Sequence, residues 1–344
     1  MSQITIKEIA MLAGVSIGTV DRVLHNRGNV KPEKRERVLE ICRRENYQPN
    51  ILARAMKMHG RARKVAVIVN NPSRNLFSTE VKAGLDKVLS EWKDYNITFD
   101  YYDLNLETEE EQLAHLDAIC ERMDAYDGLI LKPINSAEVC RRLKEMERKI
   151  PIIAITTSID QYQPLCFVGQ DHFKEGRMAA NMLLKCKPDV REVVILSLRH
   201  SILSRAQKTE GFAQYLKSRD NEITLHGAFE YGGRPEDIFS LTREMLRMFP
   251  GADALYAHTR HLDMVNRAIE ELGKEKDMVV FSFGTRTEMR NHLLKGNITF
   301  AIEEIPYDHG YLAGKEMVNY LLCGQKPLQR EHHVASYILI EESV

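Results

Sequence analysis

No stretch of these 344 residues approaches the ~20 consecutive apolar residues that a membrane-spanning helix requires. The opening residues, Met1-Ser-Gln-Ile-Thr-Ile-Lys7, lack the basic segment and apolar run of a secretory signal. Cysteine is sparse: Cys42, Cys120, Cys140, Cys166, Cys186 and Cys323 are scattered and form no Cys-x-x-Cys pair. That spacing argues against a disulfide frame or zinc cluster and predicts buried, reduced thiols. The usual catalytic signatures are missing too, with no Gly-x-Gly-x-x-Gly, no Gly-x-Ser-x-Gly and no His-Glu-x-x-His. Gly310-Tyr-Leu-Ala-Gly-Lys-Glu316 comes near a phosphate loop, but it is one residue short and lacks the Ser/Thr, so a helix is expected there. His332-His333 is a metal candidate for which a solvated pair is the plainer reading. Together these absences predict a cytoplasmic protein that is no enzyme, with no metal, no cofactor and no membrane partner.

Charge of one sign is not in excess either, since 48 Lys/Arg meet 49 Asp/Glu. The balance conceals an asymmetry. Residues 1–64 hold 14 basic against 6 acidic residues, a surplus of 8, and the remainder carries −9. A basic head on an acidic body implies that only the head meets a polyanion. With 44% hydrophobic and 28% charged residues the chain is of ordinary globular type, and its length allows two or three domains.

Within the head, Thr5-Ile-Lys-Glu8 is a capping box that predicts a helix start. Gly14 supplies a bend, and Ser16 is an N-cap for a second helix from Ile17 to about Leu24. In that helix Val20, Val23 and Leu24 face the first one, while Ile17, Gly18, Asp21 and Arg22 point away. Lys31-Pro-Glu33 starts a third helix, on which Val38, Leu39 and Ile41 close a small core that ends near Asn46-Tyr47. Two short helices joined through Ala-Gly-Val-Ser form a helix-turn-helix, whose second helix enters the DNA major groove. Beyond it, Pro49 stops any helix and Asn50 caps a short one over residues 51–57. Too short to stand alone, that segment reads as a hinge that folds on contact.

Residues 4–60 resemble the headpiece of the lactose-repressor (LacI-type) family. The shared residues are Thr5, Ala10, Ala13 through Ser16, Thr19, Val20, Arg22, Val23, Leu24, Tyr47, Pro49, Asn50 and Ala53. The resemblance implies that Ile17, Gly18 and Arg22 face bases, with Arg22 forked onto guanine. It further implies that Thr5, Ser16, Thr19, Asn29, Tyr47 and Asn50 hold phosphates. On the hinge helix it implies that Met56, with Ala53 nearby, wedges into a minor-groove step. Asp21 stands where the family has serine, and its carboxylate either weakens phosphate contact or pairs with His25.

From Lys64 onward, ten short β-rich apolar runs alternate with amphipathic helices such as 107–123, 173–184 and 307–322. That pattern predicts α/β architecture with two doubly wound parallel sheets, hence two lobes with a ligand cleft between them. The expected divisions are 1–48 for the headpiece, 49–63 for hinge and linker, and 64–344 for the body. Lobe 1 takes about 64–167 plus 306–329, and lobe 2 takes about 168–305 plus 330–344. The family resemblance extends here to a body like a periplasmic sugar-binding protein. It implies an effector site at Asn71, Phe77, Asp171, Arg205, Lys208, His258, Arg260, Thr285 and Glu304. Gly284-Thr285 stands where the family has Asp-Asp, and Glu304 where Gln is frequent, which puts a simple neutral sugar in question. Arg205, Lys208, His258 and Arg260 point instead to an acidic or phosphorylated effector. The expected partners are a roughly palindromic operator duplex, a small sugar-like effector and a second copy of the chain. A solute-binding component of a sugar transport system would share the body but would leave residues 1–60 without a role.

Overall fold

The computed structural model describes residues 4–24, 30–45, 62–198, 202–219, 222–231 and 234–344. The sequence expectations for His25, Asn29, Tyr47, Asn50, Ala53, Met56 and the hinge helix therefore lie outside the described residues.

The headpiece begins as the capping chemistry dictates. The Thr5 amide donates to Glu8 Oε2 at 2.7 Å and the Glu8 amide donates back to Thr5 Oγ1 at 3.3 Å, opening α1 (Ile6–Ala13). Gly14 ends it in the left-handed region, at φ 65°, where a residue without Cβ is favoured. Ser16 Oγ accepts from the Thr19 amide at 3.1 Å at the start of α2 (Ile17–Leu24). Pro32 opens α3 (Pro32–Arg44), where its missing N–H costs nothing. Ile9, Ala13, Val20, Val23, Val38 and Ile41 bury against one another, with Leu39 packed half-buried beside them.

The body contains two six-stranded sheets. The first is built from β1 (Arg63–Asn70), β2 (Ile97–Leu104), β3 (Gly128–Leu131), β4 (Ile152–Ile155), β5 (Cys166–Gln170) and β11 (Glu331–Val334), in the order β11-β5-β4-β3-β1-β2. The second holds β6 (Glu192–Leu198), β7 (Thr224–Tyr231), β8 (Ala254–Ala257), β9 (Val279–Gly284), β10 (Phe300–Glu303) and β12 (Tyr337–Leu339), in the order β12-β10-β9-β8-β6-β7. All pairings are parallel except β10 with β12. The central strands β3, β4, β5 and β8 are buried throughout, which explains their uninterrupted apolar runs.

Two sequence expectations need correction. The chain does not change lobes at 167/168, because β5 stays in the first sheet through Gln170. Nor does all of 330–344 join the second lobe, since β11 extends the first sheet by pairing with β5 (Glu331 opposite Phe167). Both β11 and β12 are edge strands with a single buried residue each, Val334 and Leu339. A strand that buries one side chain has no apolar run to betray it. Among the described residues the chain thus passes between lobes three times, near residues 170–172, 303–306 and 334–337.

Helix packing repeats in the two lobes. In the first, α4 (Leu76–Glu91) crosses α12 (Pro306–Cys323); in the second, α7 (His172–Cys186) crosses α8 (Leu203–Lys217). Each crossing rests on two glycines. A Cβ on Gly84 would lie 2.1 Å from the Tyr307 carbonyl oxygen, and one on Gly310 2.0 Å from that of Val81. A Cβ on Gly176 would lie 1.9 Å from the Lys208 carbonyl oxygen, and one on Gly211 2.0 Å from that of Phe173. The expected helix at Gly310–Glu316 is therefore a helix whose glycine serves backbone contact rather than phosphate binding.

Among the described residues all six cysteines are free thiols. Cys42, Cys140 and Cys166 are buried as expected, but Cys186 is exposed.

Candidate functional site

The helix α2 divides cleanly by face. Val20, Val23 and Leu24 are at most 7% exposed, whereas Ile17 is 52% exposed and Gly18 and Arg22 are also open to solvent. Among the described residues a Cβ on Gly18 would meet only Ser16 Oγ, at 3.9 Å, so their packing does not demand glycine there. Its bareness thins the outer face instead, letting a flat partner approach the backbone. Thr5 and Ser16 are exposed and Thr19 half-buried around the turn, and Ser16 Oγ shares a 2.9 Å hydrogen bond with Thr19 Oγ1.

The second feature is a cleft of about 970 Å³ between the lobes. It lies at the carboxyl ends of the strands, where successive β-to-α turns bring side chains from separate strands together. From the first lobe come Asn70 at the end of β1, Phe77 on α4, and Glu107, Lys132 and Thr156 after β2, β3 and β4. From the second come Arg205 and Lys208 on α8, His258 and Arg260 after β8, Phe283 on β9 and Glu304 after β10.

Six of the nine sequence-named effector residues line this cleft: Phe77, Arg205, Lys208, His258, Arg260 and Glu304. The other three are engaged as helix caps. Asn71 Oδ1 accepts from the Ser73 amide at 2.9 Å, and its amide nitrogen donates to Asn105 Oδ1 at 2.9 Å. Asp171 Oδ1 accepts from the Lys174 amide at 2.9 Å. Thr285 Oγ1 accepts from the Glu288 amide at 3.2 Å within a capping box that starts α11 (Arg286–Leu294). Both roles fall at a β-to-α turn and use short polar side chains, so sequence alone does not separate them.

Sequence reasoning missed Asn70, Glu107, Lys132, Thr156 and Phe283. Asn70 is 6% exposed; its Nδ2 donates to Glu107 Oε1 at 2.5 Å, while among the described residues its Oδ1 is buried without a partner. Glu107 sits at φ 55° and pairs with Lys132 at 3.5 Å. The Lys132 ammonium outweighs burial and, with Arg205 and Arg260, lowers its pKa. The sequence does place two asparagines, Asn70 and Asn71, at the end of β1, and it is Asn70 that lines the cleft.

Charge in the cleft is balanced. Its described lining includes five Lys/Arg (Arg74, Lys132, Arg205, Lys208, Arg260) and five glutamates (Glu107, Glu109, Glu110, Glu288, Glu304). Two of the four groups thought to favour an acidic effector are already committed. Lys208 is 1% exposed, bonded to Glu304 Oε1 and 3.4 Å from Glu175 Oε2; burial disfavours its charge, but those two carboxylates raise its pKa. Its Nζ also lies 4.6 Å from the centre of the Phe283 ring. The ring of His258 is pushed well below its ordinary range, by burial first and then by Lys208 and Arg205, so it is neutral. Among the described residues its Nδ1 is buried without a partner. A lining that balances its charges and includes the Phe77 and Phe283 rings beside many hydrogen-bonding groups suits a polyhydroxylated molecule.

Residues 65–326 match the family model of a periplasmic binding protein domain, and residues 5–50 match that of bacterial regulatory proteins of the lacI family. Among curated relatives, the HTH-type transcriptional regulator pepR1 of Lactobacillus delbrueckii subsp. lactis is 24% identical, covering 98% of this chain and 97% of its own. Catabolite control protein A of Priestia megaterium is 25% identical over 92% of each. Among solved structures, the glucose-galactose binding protein GanP from Geobacillus stearothermophilus superimposes with a TM-score of 0.75 at 19% identity, covering 83% of this chain and 99% of that one.

Proposed function

The chain belongs to the lacI family of bacterial regulatory proteins with a periplasmic binding protein domain as its body, and from that membership we propose that it is a sequence-specific DNA-binding regulator of transcription. A sugar or sugar derivative held between the lobes controls its grip on an operator. It acts as a homodimer in the cytoplasm, so that two headpieces meet two half-sites of a roughly palindromic duplex. It has no catalytic step to perform, in keeping with relatives named as regulators.

The observation that carries this reading is the outer face of α2. Ile17, Gly18 and Arg22 are exposed on a helix whose opposite side is fully committed to the core. Such an open face, following a capped turn on a compact three-helix head with a surplus of positive charge, is what a helix needs to enter a major groove. Arg22 reads guanine through O6 and N7, and Ile17 packs on a thymine methyl. The solute-binding alternative leaves this face unused.

The test is selection of operator duplexes from a random pool by the full chain, repeated with Arg22→Ala. The variant is expected to lose ~1–3 kcal/mol and to relax preference at one base pair per half-site. Enrichment of no sequence by the unaltered protein overturns the reading. Calorimetric titration of the same protein with neutral and acidic sugars then decides effector charge, and the balanced cleft leads us to expect the neutral class.

A further inference from the structure

Several buried polar groups near the inter-lobe crossings converge on one carboxylate. Glu175 on α7 is 0% exposed and does not line the cleft. Its Oε2 accepts from His172 Nδ1 at 2.8 Å and lies 3.4 Å from Lys208 Nζ. Its Oε1 accepts from the Ser336 hydroxyl at 3.0 Å. These donors belong to different inter-lobe crossings. His172 follows the first, Ser336 sits in the third, and Lys208 reaches the second because its ammonium also bonds Glu304.

The chain of contacts continues in both directions. His172 Nε2 lies 2.6 Å from the carbonyl oxygen of Thr156, a first-lobe residue lining the cleft at φ 67°. The Thr156 hydroxyl in turn meets His309 Nδ1 at 3.2 Å. Gln170 Nε2 in the first crossing donates directly to the Glu303 carbonyl in the second, at 3.0 Å. Each nitrogen of the His172 ring thus faces an oxygen, a carboxylate on one side and a carbonyl on the other.

We propose that Glu175 is the shared anchor of a buried latch that makes the three inter-lobe crossings move as one and ties them, through Lys208 and Glu304, to the cleft. Buried polar networks have few satisfied arrangements, so a change at one member is felt at the others. Re-angling the lobes at one crossing breaks a hydrogen bond that the other two share. An effector hydroxyl that bonds the Glu304 carboxylate alters its hold on Lys208, and through Glu175 reaches the first and third crossings. That consequence rests on the regulatory reading of the cleft; the latch itself does not.

Hydrogen exchange on the full chain, without DNA or effector, tests it. Ser336→Ala removes one uncharged donor and leaves every charge in place. Uptake is expected to rise at least about twofold in peptides spanning 171–176 and 303–309 as well as in 334–338, because exchange follows cooperative local opening. Glu304→Gln, made in the cleft wall, is expected to raise exchange at 334–338, to which it connects through Lys208 and Glu175 as well as through the Glu303–Tyr337 strand pairing. Glu175→Gln should raise all three segments further. A rise confined to the segment that carries the substitution, or none, overturns the latch. Should Glu175→Gln fail to fold, Ser336→Ala and Glu304→Gln still decide. Failure of operator selection would overturn the regulatory reading and leave these exchange results standing.

Discussion

Lys208 shows how a single residue's meaning depends on what meets it. In sequence it stood as a cation for an acidic ligand; in the fold it is sealed between Glu175 and Glu304. Removing one partner of such a buried pair leaves an uncompensated charge, at ~3–5 kcal/mol. Lys208→Met is expected to lower the urea midpoint by that equivalent, and adding Glu304→Gln should recover part of the loss. Additive effects in that double-mutant cycle would mean that the two groups are not coupled. Protons act on the same cluster. Burial works to raise the pKa of Glu304, but the Lys208 ammonium outweighs it and holds the carboxyl well below its ordinary value of 4.5. A depressed acid stabilises above its unfolded pKa, and that stability is lost as pH falls through its folded value. His309, lowered to about 3 chiefly by burial, refuses a proton that the unfolded chain accepts near 6.5. Its effect has the same sign, with stability lost as pH falls from about 6.5 to 3. The urea midpoint should therefore fall on acidification in two stages, and His309→Gln should shrink the earlier one. A midpoint flat between pH 6.5 and 4.5 would refute a buried neutral His309. At this scale part of the cleft lining was legible: Phe77, Arg205, Lys208 and Arg260 were named, whereas Lys132 and Phe283 were not. What was not legible is which polar residues cap helices and which ions neutralise each other, because both depend on partners distant in sequence.

Elements were read best where local chemistry decides them. Thr5 and Glu8 lie three residues apart, so their reciprocal hydrogen bonds could be foreseen, and α1 and α2 begin where the caps place them. The strands β11 and β12 escaped because they are held by the edges of sheets already formed, not by apolar runs of their own. The glycine-on-backbone crossings of α4 with α12 and α7 with α8 were equally hidden, for a glycine in a helical pattern announces only a weak helix. Their packing has a measurable cost. Gly310→Ala would place a methyl 2.0 Å from the Val81 carbonyl oxygen, backbone that cannot swing aside. The helices must part, and overpacking of this kind costs ~1–3 kcal/mol. Thermal unfolding of the variant should move down accordingly. By contrast, alanine at Gly18, where only Ser16 Oγ comes within 4 Å, should leave the melting temperature unchanged or slightly raised while altering operator preference. An unaltered melting temperature for Gly310→Ala would show that α4 and α12 are not in backbone contact.

For the whole molecule, charge separates the two tasks. The first 64 residues carry a surplus of 8 positive charges and the remaining 280 carry −9, so the body repels the same phosphates that the head attracts. Each phosphate neutralised by Lys or Arg releases condensed counterions, and binding weakens as salt rises. The cleft is built differently, with five basic groups facing five carboxylates among its described lining and two of its ions locked to each other. A dimer making 6–10 phosphate contacts should lose ~10³–10⁵ in operator affinity between 50 and 200 mM salt. A body-only chain beginning at residue 62 should hold no duplex at either concentration, since its own field opposes approach. Fluorescence anisotropy with a labelled selected duplex measures both. If the body alone retained duplex, or if operator affinity were indifferent to salt, the division between a reading head and a deciding body would fail. Should both behave as expected, moving the two half-sites half a helical turn apart is the sharper trial. One face of the duplex then turns away, and a head fixed by the body can no longer follow it, so the gain from linking two heads disappears. Affinity should then drop to that of a single headpiece on a single half-site.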